Sequence, residues 1–372
     1  MEELEFRVSA KTAKLIGREN ISAVDGAIIE LVKNAYDADA ECVYIKYNMP
    51  FPNILKNTTY TYLEHYLSKE ELKYVLQFYE PESERSDKVT RKNEIADKDI
   101  TKLQSILFSK NEIIIIDNGT GMTKSIMKTT WMNIATSDKE KNMYSEKGRI
   151  KTGAKGIGRF ALEKLSTATK VYTKNKDDKL LEWNINWNQF DELELLNDIK
   201  ATLEDKDSTY EQTIQELIGK NEFSKLKKFN WNTGTALILT PTREEWTDRL
   251  FKKVNTNMQS INPLGSVDTF EIYINNTYDV NLNFISNNLE IQDYDYRIKA
   301  QYDGNNTIKV FLKRNEVDLN AEKAIIKING KIYEFNLSEF WNREAFKLKN
   351  YYKEDYDKEI EIELYKLSTQ AR

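Results

Sequence analysis

The chain has 372 residues, a net charge of -5 from 55 Lys+Arg against 60 Asp+Glu, and 40% hydrophobic and 11% aromatic residues. That length allows more than one domain, and the charge balance does not advertise a nucleic-acid binder, although it leaves room for a local basic patch. Cys42 and His65 are the only cysteine and histidine, which excludes an internal disulfide framework and Cys/His metal sites and counts against a serine-triad hydrolase or a phospho-histidine relay.

Chemistry must therefore rest on carboxylates, amides, hydroxyls, Lys or Arg. No apolar run approaches the length of a membrane span, and the N-terminus is acidic and polar rather than signal-like. The expected location is cytoplasmic, with no membrane partner.

In chain order, alternating Leu4, Phe6 and Val8 suit a short strand, followed by a turn and short helix over 9–18. Asp25 is a candidate cap for a helix over Ala27–Ala40, AIIELVKNAYDADA. On that helix Ile28, Leu31 and Ala35 make an apolar stripe, while Glu30, Asn34 and Asp37 share a second, polar face. Cys42–Tyr47 reads as a strand. Residues 49–110, rich in Tyr, Glu and Lys, read as an insertion with helices over Tyr62–Tyr79 and Ile100–Phe108, and His65 reads as a surface residue within it.

The run Ile113–Ile116 predicts a buried strand, ending in the turn Asp117-Asn118-Gly119-Thr120-Gly121-Met122. A helix over Lys124–Ile134 and a polar, mobile loop over 136–152 follow. Gly153-Ala154-Lys155-Gly156-Ile157-Gly158 then leads into a helix from Arg159. Paired strands are expected over Lys170–Thr173 and Leu180–Trp187, partial helix over Leu193–Leu226, a strand over Thr235–Leu239 and a helix over Glu244–Met258. Beyond Asp268 the pattern is strands with turns, ending in a strand over Glu359–Tyr365.

Individually these motifs are weak. Asp117, at the end of a buried strand, can accept a hydrogen bond from an exocyclic amine such as adenine presents, with Gly119 and Gly121 allowing close approach of a base, but Asp-Asn-Gly is equally a plain turn. The glycines of 153–158 ahead of a helix suit a phosphate cradle. They are not a Rossmann fingerprint, because a polar loop precedes them, and no stretch fits the P-loop pattern. Thr235 reads as a strand Thr or as support for Asp117.

In combination and in this order, the motifs resemble the GHKL ATPase superfamily of gyrase B subunits, ninety-class heat-shock chaperones, histidine kinases and MutL proteins. The stretches Trp131–Lys139 and Thr152–Ala161 look most similar to bacterial chaperone-like and MORC-like ATP-binding proteins. The resemblance covers roughly residues 1–260.

It implies an α+β fold, a Bergerat-type sandwich: a mixed, mostly antiparallel sheet with helices on one face, carrying the helical insertion. The expected domains are 1–262, with insertion 49–110 and lid 136–152, and a β-rich accessory or partial transducer region over 263–372. It implies ATP and Mg²⁺ as ligands, Glu30 as the general base and Asn34 as the metal ligand. Asp37 would line the pocket and Asp117 would bind the adenine amine, with Thr235 in support. Gly119, Gly121 and Met122 would shape the base pocket, and Gly153, Gly156, Ile157 and Gly158 would wrap the phosphates. By position, Lys155 is expected to touch a phosphate, and Lys139, Lys141, Lys147, Arg149 and Lys151 to steer the nucleotide.

Glu30 favours hydrolysis over phosphotransfer. The expected activity is an Mg-dependent ATPase acting as a nucleotide-dependent dimerisation switch, with a protein partner or downstream effector. The alternatives are a nucleotide-sensing module with negligible turnover, or the ATPase part of a DNA-processing or phage-defence machine. The resemblance also implies a lysine supplied to the γ-phosphate by a transducer domain, for which Lys313 and Lys331 in the β-rich region are the candidates.

Overall fold

In the computed structural model, the described residues are 8–12, 15, 23–83, 86–133, 144–149, 151, 159–259 and 270–286, together with the backbone of the strands between 294 and 367. The chain divides into two units: Met1–Asn262 with Asp268–Asn287, and Pro263–Val267 with Asn288–Arg372.

The first unit begins, among labelled elements, with helix α1, Val24–Asp37. Its start overturns one expectation. Ala23 occupies the cap position without a side-chain bond, and Asp25 lies inside the first turn. There it is buried and bonds Lys253 Nζ at 2.9 Å and Asn257 Nδ2 at 3.1 Å. Strand β1, Cys42–Asn48, follows.

The insertion then contributes β2 (Asn57–Thr59), α2 (Tyr60–Tyr66), α3 (Lys69–Val75), β3 (Tyr79–Pro81), β4 (Lys88–Arg91) and α4 (Asp97–Phe108). It is not purely helical, because β2, β4 and β3 form a three-stranded sheet. Ser68 caps α3 through a full capping box with Glu71, which explains why the single expected helix over Tyr62–Tyr79 divides: the cap starts a new helix. The insertion buries a hydrophobic cluster of its own around Phe51, Leu63, Val75 and Leu103.

The rest of the unit runs β5 (Glu112–Asp117), α5 (Phe160–Leu165), β6 (Ala168–Lys174), β7 (Leu180–Asn186), β8 (Ala201–Lys206), α6 (Tyr210–Ile218), α7 (Lys220–Lys225), β9 (Gly234–Leu239), α8 (Asp248–Gln259), β10 (Glu271–Asn276) and β11 (Phe284–Ser286). Eight strands form one sheet in the order β11-β10-β1-β5-β9-β6-β7-β8. All pairings are antiparallel except β1 with β10. Because β10 pairs with β1, the sheet extends past the boundary expected at 262. The alternation of Ile272 and Ile274 into the core ties this strand to the first unit.

The α+β sandwich is as expected, but helices cover both faces of the sheet rather than one. Along β5, Ile113 and Ile115 join the core under α1, α5 and α8, while Ile114 and Ile116 join a second core under α6 and α7. Each of the four is at most 2% exposed, and such burial is worth about 1.5–3 kcal/mol per side chain. That two-sided burial is the physical reason the run is unbroken by polar residues.

In the second unit, β12 (Tyr294–Tyr302), β13 (Ile308–Arg314), β14 (Val317–Asp318) and β17 (Ile360–Leu367) form a four-stranded sheet, and β15 (Lys323–Ile328) pairs with β16 (Lys331–Asn336). Lys313 lies on β13 and Lys331 opens β16.

Candidate functional site

Asp117 ends β5, and its surroundings are built almost wholly from backbone. One oxygen, Oδ1, accepts from Gly119 N at 2.8 Å and from Thr235 N at 3.2 Å. Thr235 faces Asp117 across the β5–β9 pairing. Its hydroxyl lies 3.2 Å from that of Thr173, which accepts from Met122 N at 2.8 Å. Tyr210, on α6, donates its hydroxyl to the Asp117 carbonyl at 2.8 Å from the opposite face of the sheet.

The Asp117 carboxyl is pushed up to about 7, because burial disfavours its charge more than the two N–H bonds restore it. Tyr210, buried beside it, is held well above its ordinary value, burial being the larger cause.

Three glycines close this end of the sheet, and the nearest neighbour of each is protein backbone. A Cβ on Gly119 would lie 2.6 Å from the Ala38 carbonyl. On Gly121, at φ +64°, it would meet the Lys174 carbonyl at 2.1 Å, and on Gly234, at φ +146°, the Asp117 carbonyl at 2.1 Å. These are conformations and approaches that only glycine accepts readily. The expectation that Gly119 and Gly121 stand free for a base therefore gains a second content: they let the turn seat against α1 and β6. Asn118 pins the turn further, accepting from Glu41 N at 2.9 Å and Cys42 N at 2.8 Å.

This seating joins the two principal motifs. Thr120 N donates to the Ala38 carbonyl at 2.9 Å, so the Asp117 turn lies against the C-terminal end of α1. On α1, Glu30, Asn34 and Asp37 fall on one face at spacings of four and three residues. Glu30 is 36% exposed and accepts from Lys33 Nζ at 3.1 Å. Asn34 is partly buried, Asp37 is 7% exposed, and both are engaged with surrounding protein.

The root of the expected lid is also attached here. Arg149 is 5% exposed. It donates to the Tyr36 carbonyl at 3.2 Å and to the Ala40 carbonyl at 2.6 Å, and stacks over the Tyr36 ring at 4.6 Å. It therefore neutralises the negative end of α1 and is not a solvent-facing steering charge. Lys147 is likewise tied down, its N–H to Asp39 Oδ2 at 3.1 Å and its ammonium to Glu41 at 3.0 Å. Asp39 holds the left-handed turn after α1, at φ +61°.

Gly153, Lys155, Gly156, Ile157, Gly158, Lys139 and Lys141 lie outside the described residues. Just after the glycine-rich stretch, Arg159 donates to the Thr130 carbonyl at 3.0 Å, and burial lowers it to about 10. A separate cleft of about 660 Å³, lined by Lys174, Asp178, Lys206, Thr209 and Trp231 among others, contains none of Glu30, Asn34 or Asp37.

Residues 96–217 match the sequence model of the family described as histidine kinase-, DNA gyrase B- and HSP90-like ATPases. Over this stretch the chain is similar to the GHKL superfamily. No curated protein matches the chain. The GHKL match takes in Asp117, Gly119, Gly121, Met122 and the glycine-rich stretch, and supports an ATP-binding module. It begins after α1 and ends before Thr235, which the sheet and the Ala38 contact bring to Asp117.

Sequence reading missed Thr173, Asn118, Tyr210 and the structural use of Arg149. Asn118, inside the Asp-Asn-Gly turn, carried a signal in its type, since Asn side chains bond nearby backbone. Tyr210 carried none, because its partner is a carbonyl 93 residues away.

Among the described residues no cluster of three or more His, Cys, Asp or Glu could hold a metal ion. A Mg²⁺ ion keeps several waters and takes one or two protein oxygens beside substrate phosphates. The Asn34 carboxamide on the polar face of α1 is of the right type.

No helix among the described residues is long and apolar enough to cross a membrane.

Proposed function

We propose that this chain binds ATP with Mg²⁺ and hydrolyses it, using α1 for the phosphate end and Asp117 for the base. The observation that carries the reading is the seating of the Asp117 turn on the end of α1, through Gly119 and the Thr120–Ala38 bond. It brings an amine-accepting carboxylate and a helix bearing a carboxylate, a carboxamide and a second carboxylate into one construction.

In this reading the second oxygen of Asp117 accepts from the adenine amine, with Thr235 and Thr173 fixing the base edge. Asn34 holds Mg²⁺, which supplies charge neutralisation at the phosphates when bound. Glu30 takes the proton from the attacking water, and Asp37 supports the face from its buried position. The glycine-rich stretch 153–158 and Lys155 wrap the phosphates, and the 136–152 segment closes over them. Closure is coupled to pairing of two copies and to a partner or effector, because ATP favours the closed state by its differential affinity.

Phosphate release at saturating Mg-ATP tests the reading. Glu30→Gln is expected to lower turnover by about 10²–10⁴-fold while calorimetry with a non-hydrolysable analogue shows unchanged affinity. Full turnover in that variant removes Glu30 from the role of base. A wild-type chain that binds the analogue yet releases no phosphate makes the module a nucleotide sensor instead.

A further inference from the structure

Glu30 is held by a group that the ATPase reading does not use. Lys33 sits one turn along α1, between two carboxylates on its own face: Glu30 three residues before and Asp37 four residues after. Either lies within reach of a lysine on a helix. The ammonium goes to Glu30, with Nζ 3.1 Å from Oε1. Among the described residues, Lys33 is the one polar partner of the Glu30 side chain, and Glu30 that of Lys33. Asp37 is engaged elsewhere and is buried. On the remaining side of Glu30, one turn earlier, stands Gly26, with no heavy atom of the described residues within 4 Å of where a Cβ would be, its own helix's nearby backbone aside. The carboxylate therefore has a cation on one flank and, one turn earlier on its own helix, a residue without a side chain.

We propose that Lys33 is a positioning residue for Glu30, fixing one carboxylate oxygen so that the other is presented to the attacking water. The inference rests on the reading of Glu30 as the general base. A glutamate has three side-chain torsions, and a base that samples them all spends much of its time out of line. Small misplacements of a catalytic group cost rate steeply. The ion pair leaves Oε1 occupied and Oε2 as the oxygen available to water. It also offsets one of the two carboxylate charges on a face meant to receive a polyphosphate. An ordinary exposed pair at this spacing would only help the helix slightly, and that is the alternative to be separated.

The test uses the full chain carrying Lys33→Met, Lys33→Arg and Glu30→Gln, singly and with Lys33→Met combined with Glu30→Gln. Lys33→Met is expected to lower kcat by about ten- to a hundredfold, with affinity for a non-hydrolysable ATP analogue within about threefold of wild type. Lys33→Arg should recover most of the rate, since a guanidinium can hold the same oxygen. Without nucleotide, the thermal shifts of Lys33→Met and Glu30→Gln should be non-additive in the double variant, because each removes the same pair.

Unchanged kcat in Lys33→Met, an effect confined to KM, no rescue by Lys33→Arg, or additive thermal shifts would each overturn the proposal. If Lys33→Met keeps full rate while Glu30→Gln loses it, the positioning role fails and the base reading stands. If Glu30→Gln keeps its rate, or the wild type has none, the base reading fails and the positioning role falls with it.

Discussion

The two carboxylates central to this site are held in opposite ways. Asp117 is fixed by the fold: two backbone N–H groups on one oxygen, a tyrosine hydroxyl on its carbonyl, and glycines that admit Ala38, Lys174 and Gly234 into van der Waals contact. Glu30 is fixed by one flexible lysine and is 36% exposed. The carboxylate proposed to recognise the base is therefore fixed by the protein's backbone, whereas the carboxylate proposed for the chemistry is held by a single side chain. Recognition benefits from such preorganisation, since nothing has to be ordered on binding. A site that must admit and release a phosphate cannot be sealed in the same way.

The sharpest way to break this contrast is to attack the sealed end. Gly234→Ala forces a Cβ to 2.1 Å from the Asp117 carbonyl and 2.6 Å from the Tyr210 ring, at φ +146°. Backbone cannot yield as a side-chain tip does, so the expected loss is roughly 3 kcal/mol or more, read as a lower midpoint in urea denaturation. A loss under about 0.5 kcal/mol would mean that β5 and β9 separate easily there, and that the base end is no more rigid than the helix end.

A gentler probe is protonation of Asp117, whose carboxyl is pushed up to about 7 by burial. The sign follows from which form each state prefers. An unfolded aspartate ionises near 4, so this group's contribution to folding is full below that pH and is lost as pH rises through about 7. Binding of an amine donor runs the other way. Since Oδ1 is occupied by two N–H groups, a proton on the carboxyl converts the free oxygen into a donor facing another donor. Affinity for adenosine, which has no phosphate to titrate, should therefore fall by up to about tenfold per pH unit below 7, about 1.4 kcal/mol. Calorimetry in buffers of different ionisation enthalpy should show proton release on binding near pH 6.5. Asp117→Asn should bind weakly and without this pH dependence. A flat profile in the wild type would place the adenine amine elsewhere.

Legibility in the sequence divides along the same line. The sheet and both principal motifs could be read because their cause is local: the Ile113–Ile116 run needs burial on both faces, and the polar face of α1 follows from its period. What surrounds Asp117 could not be read in this way. Thr173, Tyr210 and Gly234 converge on it only through strand register and through a helix on the far face, at separations that no local pattern encodes. Arg149 misled for a related reason. A basic residue in a polar loop suggests solvent, yet here it is buried against the carbonyls that end α1. The insertion's own sheet was hidden by strands of three and four residues, too short to show alternation.

The smallest expected effect tests the loosely held end without touching its chemistry. Gly26 lies within α1, one turn before Glu30, and among the described residues a Cβ there meets nothing within 4 Å beyond its own helix. Glycine inside a helix costs roughly 0.5–1 kcal/mol relative to alanine, because the unfolded chain loses more freedom on folding. Gly26→Ala should therefore stabilise the chain by up to that amount, read as a higher urea midpoint with unchanged slope. Phosphate release distinguishes two meanings of the glycine. If turnover is unchanged, the position one turn before Glu30 has no part in the reaction and Gly26 is merely a weak point of the helix. If turnover falls while stability rises, a methyl group has intruded where the attacking water must stand, and the space beside Glu30 belongs to the site as much as the side chains do.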